Sequence, residues 1–114
     1  MSSPDLEQLM SQAQAAQSKL AELQRELAVR RIEGSAGGGM VTAVATGELR
    51  ILEIRIEASL FDSGDRDMLQ DLTAAAVNAA LTNAQKMIQD ELQRASAGLG
   101  MPNLAGILRP GGGA

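Results

Sequence analysis

Asp65-Arg66-Asp67-Met68-Leu69-Gln70-Asp71-Leu72-Thr73-Ala74-Ala75-Ala76-Val77-Asn78-Ala79-Ala80 is the stretch that decides the fold. It opens a long helix. Ser63 or Asp65 can cap the helix, and Asp67 in the first turn complements the helix dipole. The alanines that follow allow close contact with a sheet or another helix. The helix is expected to continue to about Ala97, with Arg94 in its last turn and Gly98 as the stop. That is roughly 30 residues, or about 45 Å at 1.5 Å per residue. Its second half mixes Gln85, Lys86, Gln89, Asp90, Glu91, Gln93 and Arg94 with Met87, Ile88 and Leu92.

Upstream of this helix the apolar period is two. Leu52, Ile54 and Ile56 alternate with Glu53, Arg55 and Glu57, the pattern of a half-buried antiparallel strand. Gly47-Glu48 suits a two-residue turn with glycine first, preceded by a strand from Met40 to Thr46. Gly37-Gly38-Gly39 forms the next connection back. No Lys-Ser or Lys-Thr pair follows these glycines and no helix opens there, so a hairpin turn is favoured over a phosphate cradle. Arg30, Ile32 and Glu33 form a short strand. The result is a three-stranded meander, too short to match the following helix, whose distal part is expected to extend past it. Leu60-Phe61 anchors the connection between the two.

A second long helix precedes the meander. Ser3 can cap it, Pro4 suits the first helical position, and Asp5 suits the dipole. Leu6, Leu9, Ala13, Ala16, Leu20, Leu23 and Leu27 recur at alternating spacings of three and four, an apolar seam over about three heptads. Gln8, Gln12, Gln14, Gln17 and Gln24 enrich the intervening surface.

The order of elements gives an α+β fold: a long N-terminal helix, a three-stranded antiparallel β-meander and a long C-terminal helix. The folded domain is expected over residues 1–97. Residues 98–114 hold Gly98, Gly100, Pro102, Gly106, Pro110 and Gly111-Gly112-Gly113, and a disordered tail is expected there. Leu104, Ile107 and Leu108 could form a weak docking segment, although an inert tail is favoured.

Of the 114 residues 45% are apolar, but many are alanine, and Phe61 is the one aromatic. Burial is worth about 25 cal/mol per Å², so alanine methyls build a thin core. An obligate homodimer is the expected remedy. The chain has no cysteine and no histidine, which excludes disulfides, zinc-thiolate sites and Cys or His catalysis. No apolar run reaches the roughly 20 residues needed to span a bilayer, and the N-terminus lacks signal-peptide character. A cytoplasmic location with no membrane partner is expected.

The net charge is -4, with its acidity in the middle of the chain: residues 48–71 carry seven acids against three arginines. Asp62, Asp65, Asp67 and Asp71 cluster near the start of the last helix. Their spacing does not match a calcium loop, and acids are favoured at a helix N-terminus without any metal. Glu53 and Glu57 flank an exposed strand face with no evident pocket. No nucleophile has a base partner. No catalytic residue, metal, cofactor or small-molecule substrate is expected. Residues 19–31 carry a net +2 from Lys19, Arg25, Arg30 and Arg31, less Glu22 and Glu26. That is weak evidence for nucleic acid on its own, since mixed-charge helices are ordinary surfaces.

The chain as a whole resembles the YbaB/EbfC family of bacterial nucleoid-associated proteins. The resemblance is carried by Leu9-Met10-Ser11-Gln12-Ala13-Gln14, Gln17 and Lys19, then by Gly37 to Met40-Val41, Val44 and Gly47. The stretch from Asp65 to Ala80 carries most of it, above all Met68-Leu69, Asp71-Leu72, Ala75-Ala76 and Asn78. Gly100-Met101-Pro102 matches the family's ending loosely. Two departures stand out. Ala58 sits where relatives usually have proline, and Ser11 and Glu22 sit where they often have lysine.

The resemblance implies a tweezer-like homodimer with projecting helical arms. It implies binding of double-stranded DNA in the nucleoid without enzymatic activity, in chromosome organisation, gene regulation or DNA repair. The expected DNA contacts are Gln12, Lys19, Arg25, Arg30 and Arg31, followed by Lys86 and Arg94. Lys and Arg suit phosphates and Gln can reach base edges. Leu6, Leu9, Leu20, Leu23, Met68, Leu72 and Ala76 are assigned to packing. The rival reading is an acidic, dimeric protein-binding adaptor or chaperone without DNA affinity.

Overall fold

The computed structural model describes residues 3–98. Helix α1 spans Ser3–Val29, strands β1, β2 and β3 span Arg31–Ala36, Val41–Thr46 and Ile51–Ile56, and helices α2 and α3 span Ala58–Asp62 and Arg66–Gly98. The sheet is antiparallel with strand order β1-β2-β3. The expected helix–meander–helix order is therefore observed. The expected tail, with Leu104, Ile107 and Leu108, falls outside the described residues.

Contacts divide the chain into two compact units, one running from Leu27 to Glu91 and the other joining residues before Leu27 to residues after Glu91. The first unit holds the sheet. Ala76, Ala80 and Ala84 recur every four residues on α3 and are buried against Val41, Ala43 and Ala45 of β2 and Leu60 of α2. Small side chains on both surfaces let helix and sheet approach closely, and this is where the alanines of the opening stretch act. Gly34 of β1 completes the contact, because a Cβ there would collide with the Ala80 backbone nitrogen. Asn83 of α3 donates a hydrogen bond to the Glu33 carbonyl at 3.0 Å, which satisfies a backbone acceptor of edge strand β1.

The helix start resolves the choice between caps. The Met68 N–H donates to Asp65 Oδ1 at 3.0 Å, so Asp65 caps α3. Ser63 closes α2 instead, donating to the Leu60 carbonyl at 2.6 Å and accepting from the Asp65 N–H at 3.2 Å. Gly64, at φ 76°, turns the chain between the two helices. The short helix α2 has no counterpart in the sequence reading, which took Leu60-Phe61 only as an anchor. Ala58 is its first residue, a position where the proline common in relatives would also fit.

The β2–β3 connection corrects the expected two-residue turn. The Leu49 N–H donates to the Thr46 carbonyl at 2.9 Å and the Thr46 N–H to the Arg50 carbonyl at 3.0 Å. Three residues, 47–49, thus form the loop, and Leu49 at φ 62° takes the left-handed position where glycine is usual. Gly47 is required for space, since a Cβ would run into the Leu27 carbonyl at the end of α1.

Two apolar patterns differ from expectation within the protomer. Leu52, Ile54 and Ile56 are exposed rather than half-buried. β3 is an edge strand, and a bulge leaves Leu52 between Ile51, opposite Ala45, and Glu53, opposite Val44. The α1 seam is graded: Leu6, Leu9 and Ala13 are exposed, Ala16, Leu20 and Leu23 half-buried, and Leu27 buried. Met68, also assigned to packing, is exposed, whereas Leu72 is half-buried and Ala76 fully buried. The largest fully buried side chains are only valines, Val41 and Val44. A core this small leaves apolar surface for association.

Candidate nucleic-acid interface

The candidate contacts come from three stretches of the chain: α1, the α1–β1 junction and α3. On α1, at about 100° per residue, Gln12 and Lys19 fall within about 20° of each other on the flank of the apolar seam. Arg25 falls about 160° from Leu27, on the opposite side. Gln12, Lys19 and Arg25 are all exposed. The helix therefore presents its cations to two sides. A single basic stripe is not formed.

Arg30 and Arg31 join α1 to β1, and both are held by acids. Arg30 Nη1 lies 3.3 Å from Glu91 Oε1 on α3. Arg31 Nη2 lies 3.1 Å from Glu53 Oε2 on β3. The Arg31 pair is one link in a longer chain. Glu53 Oε1 receives Arg55 Nε at 2.8 Å, and Arg55 Nη2 reaches Glu33 Oε2 at 2.8 Å. Glu33 and Glu53 both stand opposite Val44 on the central strand, so these ion pairs bridge β1 and β3 across it. Val44, between them, is buried and lies outside the core cluster that packs on α3. The hydrogen bond to Glu33, then the Glu33 charge, raises the Arg55 pKa further above its ordinary value.

On α3, Lys86 is exposed and lies about 120° from Ala80, away from the sheet. Arg94 is exposed but engaged with a neighbouring group. Among the described residues Lys19, Arg25 and Lys86 have no ion-pair partner, so their charges are uncompensated.

Sequence reasoning missed Glu91 and Glu53 as the partners that neutralise Arg30 and Arg31. The pairs join residues 61 and 22 positions apart, and no local spacing signals them. Among the described residues no group of three or more acidic side chains could hold a metal ion. Asp65, one of the clustered acids, is occupied as a helix cap. Among the described residues no helix is long and apolar enough to cross a membrane.

The sequence profile of the YbaB/EbfC DNA-binding family matches residues 1–99. The chain belongs to the YbaB/EbfC DNA-binding family. It is 45% identical over 96 residues to a nucleoid-associated protein of Acetivibrio thermocellus, a match covering 84% of this chain and 85% of that one. It is 42% identical over 95 residues to a nucleoid-associated protein of Syntrophobacter fumaroxidans, covering 83% and 86%. A nucleoid-associated protein of Chlorobaculum parvum is 41% identical over 113 residues, 99% of this chain and 98% of that one. Among solved structures, an uncharacterized protein from Helicobacter pylori superposes with a TM-score of 0.61 at 18% identity, covering 82% of this chain and 96% of that one. At that identity the likeness speaks for the fold alone. The α3 stretch from Asp65 to Ala80 lies inside the family match, and in this YbaB/EbfC member it supplies the alanine surface that seats α3 on the sheet.

Proposed function

We propose that this chain is a nucleoid-associated protein that binds double-stranded DNA as a homodimer and has no enzymatic activity. The observation that carries the reading is the presence of cations without an ion-pair partner among the described residues, Lys19, Arg25 and Lys86 among them, in a chain similar along nearly its whole length to nucleoid-associated proteins. Exposed cations without an internal partner can meet phosphates directly, and each contact releases counterions. Gln12 joins Lys19 on one face as a neutral group able to reach base edges. Arg30, Arg31 and Arg94 complete the proposed contact set. Cations facing several directions favour phosphate contacts over base readout, so little sequence preference is expected. A role in chromosome organisation, gene regulation or DNA repair, in the nucleoid of the cytoplasm, follows from this reading.

Dimerisation is supported by the edge strand. β3 has an unpaired side, and Leu52, Ile54 and Ile56 on it are exposed. A second copy covering this edge would add area to a core whose largest fully buried side chains, among the described residues, are valines. We assign both dimerisation and DNA binding to residues 1–97, with tweezer-like arms supplied by α1 and α3.

The test is a double charge reversal, Lys19→Glu with Arg25→Glu. It should weaken binding to duplex DNA at least about tenfold, by loss of phosphate contacts, while the oligomer survives. Unchanged affinity would remove these residues from the interface. The adaptor reading is favoured by one feature, exposed Phe61 and Met68 in a segment that also holds Asp62, Asp65 and Asp67. It would prevail if duplex DNA failed to bind and a single basic partner bound to this surface.

A further inference from the structure

Arg30 and Arg31 are adjacent in sequence, but their ion pairs differ in kind. Arg31 belongs to a three-link chain in which Glu53 is held at 3.1 Å by Arg31 and at 2.8 Å by Arg55, and Arg55 is held at 2.8 Å by Glu33. Releasing Arg31 therefore disturbs a linked set of charges that joins β1 to β3. Arg30 makes a single contact, Nη1 to Glu91 Oε1 at 3.3 Å. That is longer than the roughly 2.7–2.9 Å of a strong charge-assisted hydrogen bond and lacks the two-pronged geometry that strengthens arginine–carboxylate pairs. The Arg30 side chain is 47% exposed and Glu91 only 21%. The carboxylate is thus the fixed, half-covered partner, and the guanidinium is the one that can turn outward.

The backbone fixes where Arg30 turns. α1 ends at Val29 and β1 begins at Arg31, and the Arg30 N–H donates to the Leu27 carbonyl at 3.2 Å. The side chain is therefore anchored at a junction between two regular elements, and only its rotamers need to change. An exposed pair of this kind contributes little to stability and exchanges readily. A DNA phosphate offers the same guanidinium an oxygen pair in the geometry that arginine prefers.

We propose that Glu91 is a carboxylate latch that competes with DNA phosphate for Arg30, and that DNA binding proceeds by exchange of the Glu91 carboxylate for a phosphate. This rests on the DNA-binding reading above and adds an internal anion that sets its strength. Glu91 is a positioning residue that contacts no DNA itself, holding Arg30 in the free protein and releasing it in the complex. The latch lowers affinity for isolated, weakly apposed phosphates.

The test is a double-mutant cycle on the full chain, read by fluorescence anisotropy of a labelled duplex at fixed salt. Glu91→Gln is nearly isosteric and should bind about three- to tenfold tighter, because loss of the carboxylate charge frees the guanidinium for phosphate. Arg30→Ala should bind more weakly than wild type. In the Arg30→Ala background, Glu91→Gln should give no gain. Circular dichroism of each variant confirms that the fold persists. An equal gain from Glu91→Gln with and without Arg30 would mean simple charge repulsion from DNA, and the latch would be wrong. Wild type that binds DNA with Glu91→Gln unchanged would also overturn the latch but leave the DNA reading standing. Absence of binding by every variant even at low salt would remove the DNA reading and the latch with it.

Discussion

Gly34 of β1 lies directly beneath the backbone nitrogen of Ala80 in α3, closer than any side chain at position 34 would permit. The contact sets how deeply α3 sits on the sheet. Gly34→Ala forces the helix to lift off the alanine surface, since the obstacle is backbone and cannot rotate away. A loss of about 2–3 kcal/mol is expected from overpacking at this site. Urea unfolding should show a lower midpoint. Gly38→Ala is the contrast: at φ 68° it faces open space, so only backbone strain of about 1 kcal/mol is expected.

Leu49 occupies a left-handed conformation at φ 62° in the three-residue β2–β3 loop and is exposed. Glycine adopts this conformation without strain, although it adds freedom to the unfolded chain. Leu49→Gly should therefore stabilise the protein by about 0.5 kcal/mol, the balance of the two effects. A lower thermal midpoint for this variant would show that the leucine side chain has a packing role.

Val44 is buried, and the Arg31–Glu53–Arg55–Glu33 chain links the two strands that flank it. Val44→Ala should cost about 1–3 kcal/mol from lost burial and a residual cavity. Arg55→Ala should lower the melting temperature by exposing the same valine. The part due to ion pairing should shrink in high salt, and the part due to covering should not. A melting temperature unaffected by Arg55→Ala at any salt would mean that the ion pairs do not cover Val44.

Ile54 sits on β3 opposite Ala43, at an exposed edge. Ile54→Lys places a charge where a second copy is proposed to pack. Sedimentation should show the dimer falling to half its mass while circular dichroism retains the helical signal. A dimer that withstands the substitution would move the interface elsewhere.

The sequence made both long helices, the three strands and the glycine hairpin legible because each carries a strong local signal. Asp65 marks a cap, the alanines mark a close-packed face, and alternation in Ile54, Arg55 and Ile56 marks a strand. The loop at Leu49 was misread because leucine gives no sign of a left-handed backbone. Exposure of Leu52, Ile54 and Ile56 was not foreseen because alternation reports which residues share a face and not whether anything covers that face within one chain. At the candidate interface, Lys19, Arg25 and Lys86 could be identified by type and helical spacing. The pairing of Arg30 with Glu91 could not, because it joins residues 61 positions apart, a tertiary fact absent from any local pattern.

The most direct measurement is the salt dependence of duplex DNA binding by the wild-type protein. Anisotropy of a labelled duplex titrated at roughly 50 and 200 mM salt should show affinity falling about a hundredfold, as expected when four or more phosphates are contacted. Absence of binding at the lower salt, or affinity indifferent to salt, would contradict DNA recognition through Lys19, Arg25, Lys86 and the released Arg30.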